Sequence, residues 1–299
     1  MPKNISLHKK LDTLSLLEQK GVDYFCLGIV DLLLYEARTS KAHTHLSFLH
    51  TLTHLKKKTI SHFPHNPFIH NLFVVLFSEF PTEKRKIIPY LQEKKKFLSS
   101  FFSLSLEKMT TSFSKMITAQ NVLLLQGFDR FVLSALIALK ESGKKFTICV
   151  VESGGDESGK KTSTFLAQHN IPVFYLFPSQ LEEIFHKIDV VLLLNGLICP
   201  KNIFVSHGGQ LISSLAHSHN VRTYFCAHSW SFLFKAPFGK HIPYLNSSIV
   251  WEKKPKKISL TIPLLDTILL KNIKGILSER GMFSHSIFVE DMERKGLLF

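Results

Sequence analysis

The segment FTICVVESGGDESGKKTSTFLAQH (Phe146–His169) decides the fold, because an apolar run in it is followed by a polar turn and then by a helical pattern. The run Phe146–Val151 predicts a buried strand, and the stretch from Lys160 onwards predicts a helix. A turn that joins a strand to a helix gathers free backbone N–H groups at the positive end of the helix dipole. The turn Glu152–Lys161 is therefore a candidate site for a phosphate or a carboxylate, with an ordinary solvated turn as the alternative.

Two nucleotide-binding motifs are incomplete in this part of the chain. Gly159 and Lys160 resemble the end of a P-loop, but Lys161 stands where G-x-x-x-x-G-K-[ST] requires Ser or Thr. Gly127 is followed by Phe-Asp-Arg, so the dinucleotide fingerprint G-x-G-x-x-G is also absent. The sequence therefore supports neither a P-loop nor a dinucleotide site.

Short apolar runs alternate with helical patterns on both sides of this segment. The predicted strands are Val122–Leu125, Phe146–Val151, Val173–Phe177, Val190–Leu194 and Tyr224–Ala227. The predicted helices are Asp129–Ser142, Lys160–Asn170, Ser179–Lys187 and Gly209–His217. Apolar strands that alternate with helices predict a parallel sheet covered on both faces, and right-handed crossovers make it doubly wound. After Trp230 we expect a loop, a strand region over 259–270 and a closing helix over 271–299.

The N-terminal part of the chain has a helical pattern instead. Apolar residues from Val22 to Leu33 follow the spacing of an amphipathic helix, and Ser40 could cap a second helix. Phe63–Pro67 breaks the pattern, and Pro89–Met116 predicts a long pair of helices. We therefore predict the α/β class, with a helical N-terminal domain (1–120) followed by a Rossmann-like doubly wound parallel sheet domain (121–299).

The composition indicates a folded, basic protein. Of the 299 residues, 45% are hydrophobic and 26 are Phe, which excludes a disordered chain. Lys and Arg total 37 against 23 Asp and Glu, and this excess is spread along the chain. A spread positive charge favours acidic partners in general, whereas a dedicated nucleic-acid binder is expected to concentrate it in one stripe. We expect no direct contact with nucleic acid, with a basic RNA-associated protein as an alternative.

Cysteine and histidine positions predict no metal site. The four Cys residues are far apart and show neither zinc-ligand nor disulfide spacing. His50 and His54 lie one helical turn apart, but the glutamate of H-E-x-x-H is missing, so a polar helix face is the preferred interpretation. No apolar segment is long enough to cross a bilayer, and the start lacks the apolar core of a signal peptide. We expect an intracellular, soluble protein without a metal or a cofactor.

Polar residues follow several of the predicted strands. Gln126, Glu152, Asn195 and His228 each stand at or just after the carboxyl end of a strand. In open doubly wound sheets, ligands bind beyond these strand ends. The sequence therefore predicts one crevice lined by these side chains.

Several segments, in chain order, resemble the alpha/beta/delta regulatory subunits of eukaryotic translation initiation factor 2B, and the alpha type most. The loop of VESGGDESGKKTSTFL (Val151–Leu166) is the most specific match. The others are VLLLQGFDRFVLSAL (Val122–Leu136), DVVLLLNG (Asp189–Gly196), the region of Gly209, NVRTYFCAHSWSF (Asn220–Phe232) and LTIPLLDT (Leu260–Thr267). The strand ends and this resemblance together indicate a crevice for a possible phosphate or sugar phosphate. Its candidate residues are Gln126, Arg130, Glu152, Ser153, Ser158, Gly159, Lys160, Asn195, Gly209 and His228.

The resemblance implies a cytoplasmic, non-catalytic regulatory subunit of the guanine-nucleotide exchange factor for initiation factor 2. It implies a homodimer, paired through the domain 121–299, that bridges two copies of the remaining complex. Exchange itself belongs to another subunit. The helical domain would sense phosphorylation of the alpha subunit of initiation factor 2. The residues suspected to face that partner are Thr39, Ser40, Lys41 and His43, with ordinary turn residues as the alternative.

The same fold occurs in sugar-phosphate isomerases, so a sugar-phosphate-binding protein or an isomerase is the rival hypothesis. The resemblance places the isomerase acid at Asn195 and its cysteine near Glu152, so neither expected group is present. Proton transfer between neighbouring sugar carbons needs an acid and a base within reach, which disfavours isomerase activity. Two further departures, Ser206-His207 for Asn-Lys and His228 for Glu, also place ligand binding in doubt.

Overall fold

The computed structural model describes residues 7–40, 45–152, 155–239 and 241–298. These residues form two compact units, and the division between the units lies between Ser105 and Leu106. The boundary between the units falls inside a helix, whereas the sequence-based division at 120/121 lies just after that helix. The roles predicted for the two domains stay predictions.

The first unit is helical, as predicted. Its helices are α1 (Leu7–Lys20), α2 (Val22–Thr39), α3 (His45–His62), α4 (Pro67–Phe77) and the first part of α5 (Lys84–Met116). The apolar stripe of α2 is buried, including Phe25, Ile29 and Leu33. The break before α4 is explained by Asn66, whose side chain accepts a hydrogen bond from the backbone N–H of Phe68 at 2.9 Å.

Two features of this unit differ from the prediction. Helix α1 was not predicted; it packs on α2 at Gly28, where an added Cβ would lie 2.4 Å from Cδ1 of Leu17. The prediction of a helix pair over Pro89–Met116 is wrong, because α5 is one helix of 33 residues. No Gly or Pro follows Pro89 in this helix, so nothing in its sequence ends it earlier.

The second unit is built on a seven-stranded sheet. In chain order its elements are β1 (Val122–Gln126), α6 (Arg130–Glu141), β2 (Thr147–Val151), α7 (Ser158–Gln168), β3 (Val173–Leu176), α8 (Leu181–Ile184), β4 (Val190–Leu194), β5 (Gly196–Ile198), β6 (Ile203–Ser206), α9 (Gly209–Ser218), β7 (Arg222–Cys226), β8 (Leu265–Thr267), β9 (Gly275–Ser278), β10 (Gly281–Phe283) and α10 (His285–Lys295).

The strand order of the large sheet is β10-β9-β7-β4-β1-β2-β3. Strand β10 runs antiparallel to β9, whereas the other neighbours pair in parallel. The chain passes from β1 outward to β3 and then returns to β4 on the other side of β1. In open α/β sheets such a reversal marks the place of a ligand crevice, here at the carboxyl ends of β1 and β4. The α/β class and the mostly parallel sheet are confirmed.

A second, three-stranded sheet was not predicted. It has the antiparallel order β5-β6-β8. Strands β5 and β6 follow the central strand β4 directly in the chain, whereas β8 comes after β7. The region 259–270 does contain a strand, β8, but β9 and β10 occupy the beginning of the segment that was expected to be a closing helix. Strands of three or four residues are too short to show a period in the sequence.

Candidate functional site

Gln126, at the end of β1, connects this strand to the segment that precedes α9. Its side chain is fully buried, and Nε2 donates to the backbone oxygens of Ser206 at 3.2 Å and His207 at 3.0 Å. The next residue, Gly127, has φ 92, and an added Cβ would lie 2.1 Å from the backbone oxygen of Leu194. Only glycine fits this approach between β1 and β4. The side chain of Gln126 therefore fixes the backbone just before α9 to the end of β1.

Glu152, which follows β2, occupies the N-terminus of α7. Its buried Oε2 accepts hydrogen bonds from the backbone N–H of Lys160 at 3.1 Å and from the hydroxyl of Tyr175 at 2.8 Å. An added Cβ on Gly159 would lie 2.8 Å from Cα of Glu152, so glycine permits this contact. Burial, reinforced by Glu152, raises the pKa of Tyr175 to about 12, so the phenol remains a donor. The chain therefore supplies its own carboxylate to this helix N-terminus.

Asp266 on β8 occupies the N-terminus of α9 in the same way. Its Oδ2 accepts from the backbone N–H groups of Gly208 at 2.8 Å and Gln210 at 3.3 Å. Its Oδ1 lies 3.1 Å from Nδ1 of His207. No role was predicted for Asp266, because it is distant in sequence from α9 and no local motif marks it. Its carboxylate links the small sheet to the crevice.

Asp129 occupies the N-terminus of α6. Its side chain is half-buried and accepts from the backbone N–H of Val132 at 3.1 Å. Burial raises the pKa of Asp129 to about 6. Helices α6, α7 and α9 thus each hold an internal carboxylate at the end that would otherwise attract a phosphate. An added phosphate would have to displace these groups or be repelled by them.

The remaining predicted crevice residues in the first half of this unit lie around α6 and α7. The guanidinium of Arg130 lies 4.8 Å from the ring centre of Phe165, and thus packs against α7. Lys160 is exposed and pairs with Glu157 at 2.9 Å. Ser158 is buried, and its backbone N–H donates to Oδ1 of Asp156 at 3.0 Å.

Asn195 and Gly209 lie beside the point between β1 and β4 where the strand order reverses. Asn195 is exposed, has φ 65, and its backbone oxygen accepts from the N–H of Ser206 at 3.2 Å. An added Cβ on Gly209 would lie 3.1 Å from Oε1 of Gln126. The structure therefore brings Gln126, Asn195 and Gly209 together at one edge of the sheet, with His207 and Asp266 beside them.

His228 is placed differently from these residues. It is fully buried, with its ring 5.0 Å from that of Phe131 and in an edge-on arrangement. Its Nδ1 accepts from the backbone N–H of Trp230 at 3.0 Å, and Nε2 lies 3.8 Å from Oε1 of Glu279. Burial lowers the pKa of His228, although Glu279 opposes this effect. His228 is therefore a buried packing residue and offers no exposed atom to a ligand.

Some of the predicted residues lie outside the described part of the chain, namely Ser153, Lys41 and His43. Of their neighbours in the suspected partner-contact group, Thr39 ends α2 and its hydroxyl donates to the backbone oxygen of Tyr35 at 2.8 Å. The backbone N–H of Ser40 donates to the oxygen of Glu36 at 2.9 Å. These contacts are those of an ordinary helix end and leave the partner-contact prediction untested.

The described residues contain neither a metal-ligand cluster nor a helix that could span a membrane. Within 7–40, 45–152, 155–239 and 241–298, no group of three or more His, Cys, Asp or Glu residues could hold a metal ion. In the same ranges, no helix has the length and apolar character required to span a membrane. All four cysteines are buried.

Comparison with known proteins identifies the family. The Initiation factor 2 subunit family matches residues 23–285. The eIF2B subunit alpha of Dictyostelium discoideum is 27% identical over 229 residues, which are 72% of this chain and 70% of that protein.

Two solved structures from Pyrococcus horikoshii OT3 share the fold. The translation initiation factor eIF-2B superposes with a TM-score of 0.75 at 15% identity, over 95% of this chain and 98% of the other. The 5-methylthioribose 1-phosphate isomerase gives a TM-score of 0.71 at 14% identity, over 97% and 88%. Both likenesses concern the fold alone. Because the family match extends over most of the sequence, this chain belongs to the Initiation factor 2 subunit family.

Proposed function

We propose that this chain is an alpha-type regulatory subunit of the guanine-nucleotide exchange factor for translation initiation factor 2, and that it does not catalyse exchange. The observation that carries this proposal is the 229-residue match to an eIF2B subunit alpha, within a family match over 23–285. The loop Glu152–Lys161, which resembles the alpha type most specifically, lies inside the family match over 23–285.

The geometry of the crevice favours a non-enzymatic role. Asn195 stands where the isomerases of this fold are expected to have an acid, and an amide cannot exchange a proton near neutral pH. The carboxylate of Glu152 is engaged by Lys160 and Tyr175. A base for sugar isomerisation would have to be free to reach the substrate.

The proposal includes specific partners. The chain would form a homodimer through the domain 121–299 and join the other subunits of the exchange factor in the cytoplasm. Its helical domain 1–120 would face the phosphorylated alpha subunit of initiation factor 2, with Thr39, Ser40, Lys41 and His43 at the contact. Binding to a membrane or directly to nucleic acid forms no part of this role.

An exchange assay tests the regulatory role. GDP release from initiation factor 2 would be measured with the exchange complex assembled with and without this chain. We expect phosphorylated initiation factor 2 to inhibit the complete complex and to inhibit the complex without the chain much less. Lys41→Glu should weaken this inhibition without lowering the melting temperature, whereas the exposed Lys187→Glu should leave it unchanged. Equal inhibition with and without the chain would refute the proposal.

A sugar-phosphate-binding protein or isomerase is the second candidate. The shared fold with an isomerase and the His207–Asp266 pair beside Asn195 favour it. A ligand that binds only the native state raises its melting temperature. Millimolar 5-methylthioribose 1-phosphate should then stabilise the protein, and turnover should be detectable. An unchanged melting temperature would exclude this candidate at useful affinity.

A further inference from the structure

In the second unit, two segments pair with each other and are joined by a loop. This loop is part of neither the crevice nor the proposed function. The backbone N–H of Leu245 donates to the oxygen of Ile262, and that of Leu264 donates to the oxygen of Pro243, both at 2.8 Å. Tyr244 and Pro263 form an antiparallel bridge between them. We call the residues between these paired segments, 246–261, the arm.

The base of the arm is fixed to the body of the unit. Ile262 is buried, and an added Cβ on Gly155 would lie 3.3 Å from its Cγ2 and 3.1 Å from Cδ1 of Leu245. Gly155 belongs to the turn after β2, so the arm begins next to the N-terminus of α7. Both ends of the arm are therefore fixed to the body of the second unit.

The first part of the arm exposes a run of apolar side chains. Ile249, Val250 and Trp251 are 53%, 47% and 46% exposed. Their backbone nevertheless forms a short helical turn. The side chain of Asn246 accepts a hydrogen bond from the N–H of Ser248 at 3.1 Å. The N–H of Trp251 donates to the backbone oxygen of Ser247 at 3.0 Å. Consecutive exposed apolar residues on an ordered turn are typical of an interaction site.

The second part of the arm is strongly basic. It contains the sequence KKPKK (Lys253–Lys257), and Glu252 is the only acidic residue between 246 and 261. Lys253, Lys256 and Lys257 are exposed, and Lys254 is half-exposed with its Nζ bonded to the backbone oxygen of Ile258. The arm therefore places a net positive charge directly beside exposed Trp251.

We propose that the arm is a docking site for an acidic segment of a partner protein that also contains apolar residues. The lysines complement carboxylates, and Trp251 with its two aliphatic neighbours offers a surface for apolar anchors. RNA fits this surface less well, because bases stack on aromatic rings and Ile249 and Val250 have none. This docking site is independent of the crevice and of the function proposed above.

Fluorescence titration of the full chain tests the proposal. The probe is a short synthetic peptide of repeated Glu-Glu-Leu triplets, and its control is the same peptide with Gln in place of Glu. Trp251 is exposed and the other tryptophan, Trp230, is fully buried. Binding should therefore shift the emission of Trp251 to shorter wavelength. We expect the acidic peptide to bind at least about tenfold more tightly than its control.

Two variants distinguish a specific site from general attraction to negative charge. K253E/K254E and W251A should each weaken peptide binding by about tenfold or more. Because W251A removes the exposed tryptophan, binding to that variant is measured with a labelled peptide. The matched double variant K187E/K271E changes two exposed lysines elsewhere and should bind normally. Absence of binding at millimolar peptide, or binding unaffected by W251A, would overturn the proposal. Tighter binding of a single-stranded RNA, lost in the same variants, would overturn it in favour of a nucleic-acid site.

Discussion

Asp129 has a pKa of about 6 in the folded chain, above its usual value of 3.8, because burial disfavours its charged form. The native state therefore holds the proton of Asp129 to higher pH than the unfolded state does. By linkage, the contribution of this group to the free energy of unfolding falls as pH rises from about 4 to about 6, and the loss persists at neutral pH.

The variant Asp129→Asn tests this effect. Asn keeps the oxygen that caps α6 but has no charge to bury. We expect the variant to lose this part of the pH dependence and to gain up to about 3 kcal/mol at pH 7, since one pKa unit corresponds to about 1.4 kcal/mol. Urea unfolding across a pH series measures it, with Glu141→Gln on the exposed end of α6 as the control. An unchanged pH profile would contradict the assignment.

Glu152 is expected to be structural. Replacing it with Ala removes the acceptor for the N–H of Lys160 and for the hydroxyl of Tyr175. Leaving two such donors without a partner should lower the free energy of unfolding by about 2–4 kcal/mol. Tyr175→Phe should cost less, because it removes one donor and leaves the other satisfied. Thermal unfolding compares the variants, and equal stability of Glu152→Ala and the wild type would refute this role.

The sequence predicted where the candidate crevice residues stand along the strands, but it did not predict their contacts. The positions of Gln126, Glu152 and Asn195 follow from the ends of the predicted strands. That Asp266 reaches α9, and that His228 is buried against Phe131, depends on segments distant in the chain. No periodicity or local motif contains such information.

At the scale of elements, Asp266 joins the small sheet to α9. Replacing it with Ala should leave the N–H groups of Gly208 and Gln210 without their acceptor. We expect the hydrogen exchange of both amides to accelerate by about tenfold or more, since a lost hydrogen bond of this kind is worth about 1.5–3 kcal/mol. Asp266→Asn retains an acceptor and should show a smaller effect. Unchanged exchange in the Ala variant would indicate that other groups hold this helix end.

The long elements followed from the sequence, whereas the short ones did not. The apolar strands β1, β2, β4 and β7 and the helices between them have enough residues for a period and a buried character to show. Strands β5, β8 and β10 have three residues each, and their pairing is set by tertiary contacts. The single helix α5 was divided in the prediction, although its sequence contains no breaker after Pro89.

At the scale of the whole molecule, self-association tests the proposed alpha-type assignment. The chain has a mass of 34.2 kDa. If the domain 121–299 forms a homodimer, sedimentation equilibrium should give about twice that mass at micromolar concentration. A monomer at all concentrations would contradict the alpha-type assignment, because pairing with a different subunit would then be required.

We propose that this member of the Initiation factor 2 subunit family works as part of the exchange factor. Quantitative mass spectrometry of complexes purified from cells through a tag on this chain tests it most directly. We predict the other exchange-factor subunits in near-equal amounts, together with initiation factor 2. Recovery of the chain without any of these proteins, under conditions that preserve the complex, would contradict the claim.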